Sequence, residues 1–271
     1  MPLISPAVAL DAFALTVTGS VRRHNEDSLL CCPALGLWAV ADGMGGHQRG
    51  DVASALAIRT LEEQVRQGGD LVEAVHAAHR AILAAARQDS ASQGMGTTLV
   101  AVKFSGARYQ VAWIGDSRAY LLSAEGIQPL TKDHSWVQAM IDAGELDEEQ
   151  ARSHPKRNII NQCLGQDAGL LDVGLVQGRL EPGERLLLCS DGLTRELTDL
   201  DIAQLGAQAL SLEQLVYALI DAANAMGGHD NISCALVVRG GPLGLVARAR
   251  LLLCKVFKLR PSPPPTTARH D

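Results

Sequence analysis

The chain reads as an α+β protein built on antiparallel strands, and three features of its pattern say so. Short apolar runs recur, among them Leu37-Trp38-Ala39-Val40-Ala41 and Arg185-Leu186-Leu187-Leu188-Cys189, and an Asp-Gly pair closes each of these two. Strict alternation appears where Tyr109, Val111 and Trp113 interleave with Arg108, Gln110 and Ala112, the period of a half-buried antiparallel strand. Other stretches carry apolar residues at helical spacing, as at Leu71, Val75, Ala78, Ile82 and Ala86.

In chain order, residues 12–18 predict a first strand. A polar connection from Gly19 to Asp27 follows, with Arg22, Arg23, Glu26 and Asp27 within six residues. Asp27 to Cys32 and Leu37 to Ala41 predict two strands joined by the turn residues Pro33-Ala34-Leu35-Gly36. A hairpin centred between Ala34 and Leu35 sets Asp27 opposite Asp42. Two facing carboxylates repel, so either the register differs or a cation lies between them, and a divalent metal is the economical candidate.

After the glycines at 43, 45 and 46, Gly50 to Gln67 predicts a helix that Gly68-Gly69 stops, and Asp70 caps a second one. His76 and His79 lie three apart on that second helix, without the companions a zinc site needs, and are assigned to the surface. Residues 97–104, 107–114 and 117–123 predict a meander of strands, with Asp116 in the turn Ile114-Gly115-Asp116-Ser117-Arg118. From Thr131 to Gly165 the pattern loosens: Trp136, Val137, Met140 and Ile141 suggest one short helix, and the rest reads as a mobile flap over about 133–165. A strand at 172–180, helices near 198–206 and 211–226, and a last strand from Ile232 to Val238 complete the elements.

The totals narrow the function. At 271 residues, with 47% hydrophobic and 20% charged residues, the chain is long enough for one large, well-cored soluble domain. A formal charge of −6 and only 3% aromatic residues argue against a nucleic-acid partner. Six cysteines with no C-x-x-C pair, four of them in apolar runs, read as small buried hydrophobes in a reducing compartment. Neither a basic leader nor a membrane-length apolar run is evident, so the expected location is the cytoplasm.

Five aspartates, Asp27, Asp42, Asp116, Asp191 and Asp230, stand at strand ends or turns, far apart in sequence. Neighbouring antiparallel strands end and begin at a shared edge, so these carboxylates can meet. Hard oxygen ligands select Mg²⁺ or Mn²⁺ over zinc, and several carboxylates suit a two-metal centre that activates water against a phosphate ester. An arginine such as Arg22 beside them would grip the phosphate oxygens.

Six ordered blocks carry a resemblance: Arg22-x-x-Asn25-Glu26-Asp27, Val40-Ala41-Asp42-Gly43-Met44-Gly45-Gly46-His47, Gly94-Met95-Gly96-Thr97-Thr98, Ile114-Gly115-Asp116-Ser117-Arg118, Leu188-Cys189-Ser190-Asp191-Gly192-Leu193 and Asp230-Asn231-Ile232-Ser233. Together they resemble the type 2C, metal-dependent serine/threonine protein phosphatases (the PPM family) in their bacterial form. The resemblance implies a four-layer α/β/β/α sandwich, two central antiparallel sheets flanked by helix pairs, with the metals at one edge. On its terms residues 12–240 form the catalytic domain, 1–11 an N-terminal extension, and 241–271 a basic then Pro-rich tail.

By the same resemblance Asp42 would bridge two metals, Asp191 and Asp230 would complete one site, and the Gly43 carbonyl would serve the other. Glu26 and Asp27 would support that second site, Asp116 with Asp191 would hold a weaker third ion, and Arg22 would bind the substrate phosphate. Asp42, Asp191 and Asp230 are thus the catalytic candidates. Met44 stands where some relatives have a histidine, so the leaving-group proton is expected from a water at the metals, with His47 a poorer donor. The implied activity is hydrolysis of phosphoserine and phosphothreonine in proteins by a monomer opposing a bacterial Ser/Thr kinase, with Mn²⁺ or Mg²⁺ as cofactor. The alternative is a catalytically weak module of the same fold that binds phosphoproteins. A metal nuclease would need a basic groove that the charge balance does not offer. The tail from Gly241 reads as a loosely packed helix running into a disordered Pro-rich end.

Overall fold

A computed structural model describes residues 9–45, 49–89, 92–166 and 171–240, together with the backbone of 257–259. The first half runs β1 (Leu10–Val17), β2 (Ser28–Cys32), β3 (Leu37–Ala41), β4 (Gly43–Met44), α1 (Gly50–Arg66), α2 (Leu71–Gln88), β5 (Gly96–Thr97), β6 (Leu99–Ser105) and β7 (Arg108–Ile114). Then come β8 (Arg118–Ser123), β9 (Gly126–Pro129), α3 (Trp136–Asp142), α4 (Glu148–Ser153), β10 (Gly174–Arg179) and β11 (Arg185–Cys189). The order closes with α5 (Asp191–Thr194), α6 (Asp199–Gly206), α7 (Leu212–Met226), β12 (Ile232–Arg239) and β13 (Phe257–Leu259).

Two large sheets form the centre: a six-stranded one in the order β13-β1-β12-β11-β8-β9 and a five-stranded one in the order β10-β7-β6-β3-β2. Apart from β13 against β1, every pairing in them is antiparallel. Side-chain parity assigns the layers, because successive residues of a strand face opposite ways. Trp38 and Val40 of β3 join Val100, Val102, Val111, Leu186, Leu188, Ala235 and Val237 in a core between the sheets. Leu37, Ala39 and Ala41 face the other way, onto Ala57, Leu61, Val75, Ala78 and Ile82 of α1 and α2. On the far side Leu187, Cys189, Ile232, Cys234 and Leu236 meet Ile202, Leu215, Leu219 and Ala223 of α6 and α7. This is the four-layer α/β/β/α arrangement the sequence led us to expect, and it explains why β3 is an unbroken apolar run rather than an alternating one.

The β2–β3 register pairs Ser28 with Ala41 and Cys32 with Leu37, so one further step sets Asp27 against Asp42 as expected. Helix α1 begins and ends within a residue of its sequence limits, and α2 begins directly after its expected cap. Asp70 caps α2, accepting from the backbone N–H of Val72 at 2.9 Å and of Glu73 at 3.4 Å.

Other expectations need correction. The meander over 97–123 does not hold: β7 lies in the five-stranded sheet and β8 in the six-stranded one, so the turn at Ile114–Arg118 crosses between sheets. Gly115, at φ +98°, makes that crossing, and its N–H donates to His134 Nδ1. Strand β9 and helix α4 were missed, the latter because only Ala151 of its six residues is buried. His79 is not simply a surface residue, since its Nδ1 accepts from the Gly165 N–H at 3.2 Å. Phe257–Leu259 of the tail forms a strand parallel to β1, not a helix; the remainder of the tail lies outside the described residues. Cys32, Cys163, Cys189 and Cys234 are free thiols, as read. Among the described residues no helix is long and apolar enough to cross a membrane.

Candidate metal centre

Antiparallel neighbours share an edge, and the two sheets present the relevant edges on the same side. In the five-stranded sheet Asp42 leaves the end of β3 while Glu26 and Asp27 lead into the start of β2. In the six-stranded sheet Asp191 follows β11 as the first residue of α5, and Asp230 leads into β12. Asp116 occupies the crossing between the sheets. Carboxylates from positions 27 to 230 of the chain thus share one rim.

Hydroxyl and amide groups fix them there. The Asp42 N–H donates to Thr98 Oγ1 at 3.1 Å, and its carbonyl accepts from Thr97 Oγ1 at 2.8 Å and from the Thr98 N–H at 2.9 Å. Asp27 Oδ2 accepts from Ser190 Oγ at 2.9 Å and Ser233 Oγ at 2.6 Å, which locks β2 to the ends of β11 and β12. Asn231 ties three segments: its Nδ2 donates to the carbonyls of Thr18 and His24, and its Oδ1 accepts from the Glu26 N–H. Gly43 packs so closely that an added Cβ would lie 2.2 Å from the Gly50 carbonyl oxygen and 2.5 Å from that of Glu26. The backbone of Glu26, Gly43 and Gly50 is therefore one tight knot.

The electrostatics are severe. Burial raises Asp42 well above the usual carboxylate range, and Asp27, Asp191, Asp116 and Asp230 push it further the same way. Asp116 is raised by burial and then by Asp191 and Asp133. Burial likewise lifts Asp27 to about 7, against the hydrogen bonds from Ser233 and Ser190 that favour its charge. Asp191 is raised by burial, with Arg195 opposing. Glu26, less enclosed, is raised by burial and by Asp51, with Arg22 opposing.

Two arginines answer this charge. Arg22 Nη2 donates to Asp230 Oδ2 at 2.9 Å from a half-exposed position. Arg195 reaches the same oxygen through Nη1 at 2.8 Å and pairs through Nη2 with Asp191 Oδ2. Sequence reasoning missed Arg195, along with the roles of Thr98, Ser190, Ser233 and Asn231. Its signal was available: an arginine four residues after an aspartate on a helix faces it.

With Arg195 between Asp191 and Asp230, no three His, Cys, Asp or Glu side chains among the described residues stand ready-made around one point. The donor set nonetheless fits divalent ions. It is all oxygen, and Asp27 Oδ1, Asp116 Oδ1 and Asp191 Oδ1 are buried without a hydrogen-bond partner. Buried oxygens of this kind demand a proton or a cation. His47 lies outside the described residues.

A cleft of about 680 Å³ opens beside the rim, lined by Asp116, Asp191 and Arg195 on one side and by Arg152, Arg157 and Asn158 of the flap on the other. The flap carries two short helices, and its root is clamped where Arg118 forks onto both oxygens of Asp133, at 2.8 and 2.7 Å. Trp136 stacks on the His154 ring, centroids 4.8 Å apart, and has the Lys156 ammonium 4.5 Å from its ring centroid.

Comparison with known proteins places the chain among relatives. A family model described as protein phosphatase 2C matches residues 21–236. The serine/threonine phosphatase stp of Listeria innocua is 35% identical over 237 residues, covering 83% of this chain and 94% of that protein. The crystal structure of the Mycobacterium tuberculosis serine/threonine phosphatase PstP/Ppp superposes with a TM-score of 0.79 at 37% identity, over 86% of this chain and 99% of the other. A structure of the PstP catalytic domain in complex with two manganese ions, 36% identical, gives 0.75 over 84% of this chain and 97% of that one. The chain belongs to the protein phosphatase 2C family.

Proposed function

We propose that this protein hydrolyses phosphoserine and phosphothreonine in other proteins, opposing a Ser/Thr kinase in a bacterial cytoplasm. The supporting observation is the convergence of Asp27, Asp42, Asp116, Asp191 and Asp230 at one rim, with three of their buried oxygens unpartnered.

In this reading Asp42, Asp191 and Asp230 hold two divalent ions, Mn²⁺ or Mg²⁺, with the Gly43 carbonyl. Glu26 and Asp27 support the second ion, and Asp116 with Asp191 offers a weaker third position. The ions supply an acidified water for attack at phosphorus and charge to balance the phosphoryl oxygens. The protein's own residues do the rest. Arg22, exposed enough to meet a ligand and steadied by Asp230, grips the phosphate. Ser190 and Ser233 orient the Asp27 carboxylate and favour its charged form against burial. Thr97 and Thr98 pin the Asp42 backbone at the rim. The cleft beside the flap takes the peptide flanking the phosphorylated residue.

Release of phosphate from a phosphothreonine peptide tests this. It is expected to require added Mn²⁺ and to fall at least about a hundredfold in Asp42→Ala, as loss of a metal-holding residue demands. Turnover unaffected by chelation would defeat the metal mechanism. Peptide binding without turnover would leave only a phosphoprotein-binding module.

A further inference from the structure

Arg195 lies one helical turn after Asp191, and its fork spans Asp191 and Asp230, two of the three carboxylates assigned above to divalent ions. Asp230 Oδ2 already accepts from both Arg22 and Arg195. A divalent ion on these carboxylates draws on the same negative charge that holds Arg195 and repels its guanidinium. The Arg195 cation answers charges that would otherwise be buried and uncompensated.

We propose that Arg195 is a tethered counter-cation that competes with divalent metal for Asp191 and Asp230. It ties Asp191 Oδ2 to Asp230 Oδ2, and metal loading weakens that tie, so it lowers the site's affinity for metal. The cleft that Arg195 borders is also lined by Glu148 and Glu149, with Asp133 already held by Arg118. This inference rests on the assignment of Asp191 and Asp230 as metal-holding residues.

The test is calorimetric titration of Mn²⁺ into the chelator-stripped full chain, alongside thermal unfolding with and without Mn²⁺, for the wild type, Arg195→Gln and Arg195→Lys. Arg195→Gln removes a positive charge beside the ions and is expected to bind Mn²⁺ about tenfold more tightly. Its stripped form should melt several degrees below the stripped wild type, and saturating Mn²⁺ should close that gap. Arg195→Lys, which keeps the charge and loses the fork, should fall between the two. Unchanged or weaker Mn²⁺ binding in Arg195→Gln overturns the proposal, as does a melting deficit that persists at saturation, which would mark a purely structural arginine. Should Arg195→Gln fail to fold, the lysine variant decides alone: affinity equal to wild type overturns the idea. No Mn²⁺ uptake by the wild type defeats the assignment of the site, whereas uptake without any difference among the variants defeats only the role of Arg195.

Discussion

At the scale of single residues, glycine is where the site leaves least room. A Cβ on Gly192 would sit 2.0 Å from the carbonyl oxygen of Asn231, a contact with backbone that no rotamer change relieves. Gly192 follows Asp191 and Asn231 follows Asp230, so this approach sets the spacing of the two aspartates. Gly192→Ala is expected to destabilise the fold by about 1–3 kcal/mol, the usual range for overpacking, and to weaken Mn²⁺ binding as well. Urea unfolding and metal titration measure the two effects, and stability lost with metal affinity intact would show that the spacing does not matter. The sequence made the aspartates visible because Asp-Gly recurs after apolar runs. Arg195 stayed hidden because, on one helical turn, an arginine looks like any solvated charge; only the fold shows that its turn faces Asp230 across another loop.

Among the elements, α2 shows local chemistry acting alone. Asp70 satisfies two amide groups at its start, and the cap is exposed, so Asp70→Ala should cost about 1 kcal/mol in urea unfolding without changing phosphatase activity. A drop in activity at unchanged stability would contradict that separation. The hairpin of β2 and β3 was legible down to its register, because the Pro33–Gly36 turn fixes where the strands fold back. Membership of a sheet was not legible. The sheet-facing residues of β7, such as Val111 and Trp113, and of β8, such as Ala119, enter the same central core, so their patterns carry no mark of which layer each joins. The flap was half legible: Trp136 and its apolar neighbours announced α3, but α4 rests on a reciprocal cap between Asp147 and Gln150 and offers almost no buried face to read.

Over the whole molecule, the rim couples stability to pH. Asp27 is lifted to about 7, and Asp42, Asp116 and Asp191 are lifted with it, each led by burial. Unfolded aspartates titrate near 3.9, so between about pH 4 and 7 the folded, metal-free chain holds more protons than the unfolded one. The stabilisation is complete below the unfolded value and is lost as pH rises through the folded values. The melting temperature of chelator-treated protein should therefore decline from pH 5 to pH 8. Saturating Mn²⁺ should flatten or invert that slope, because metal takes the place of the protons. A flat profile without metal would mean that the carboxylates are already neutralised by Arg22 and Arg195.

The strand that leads out of Asp230 comes late in the chain yet lies inside the six-stranded sheet, with β1 on one side and β11 on the other. A polypeptide still emerging from the ribosome therefore lacks both a central strand and Asp230, a residue proposed to hold metal, until nearly the entire domain has been made. The phosphatase would be mute during its own synthesis, and any product of premature termination before that strand would be inert.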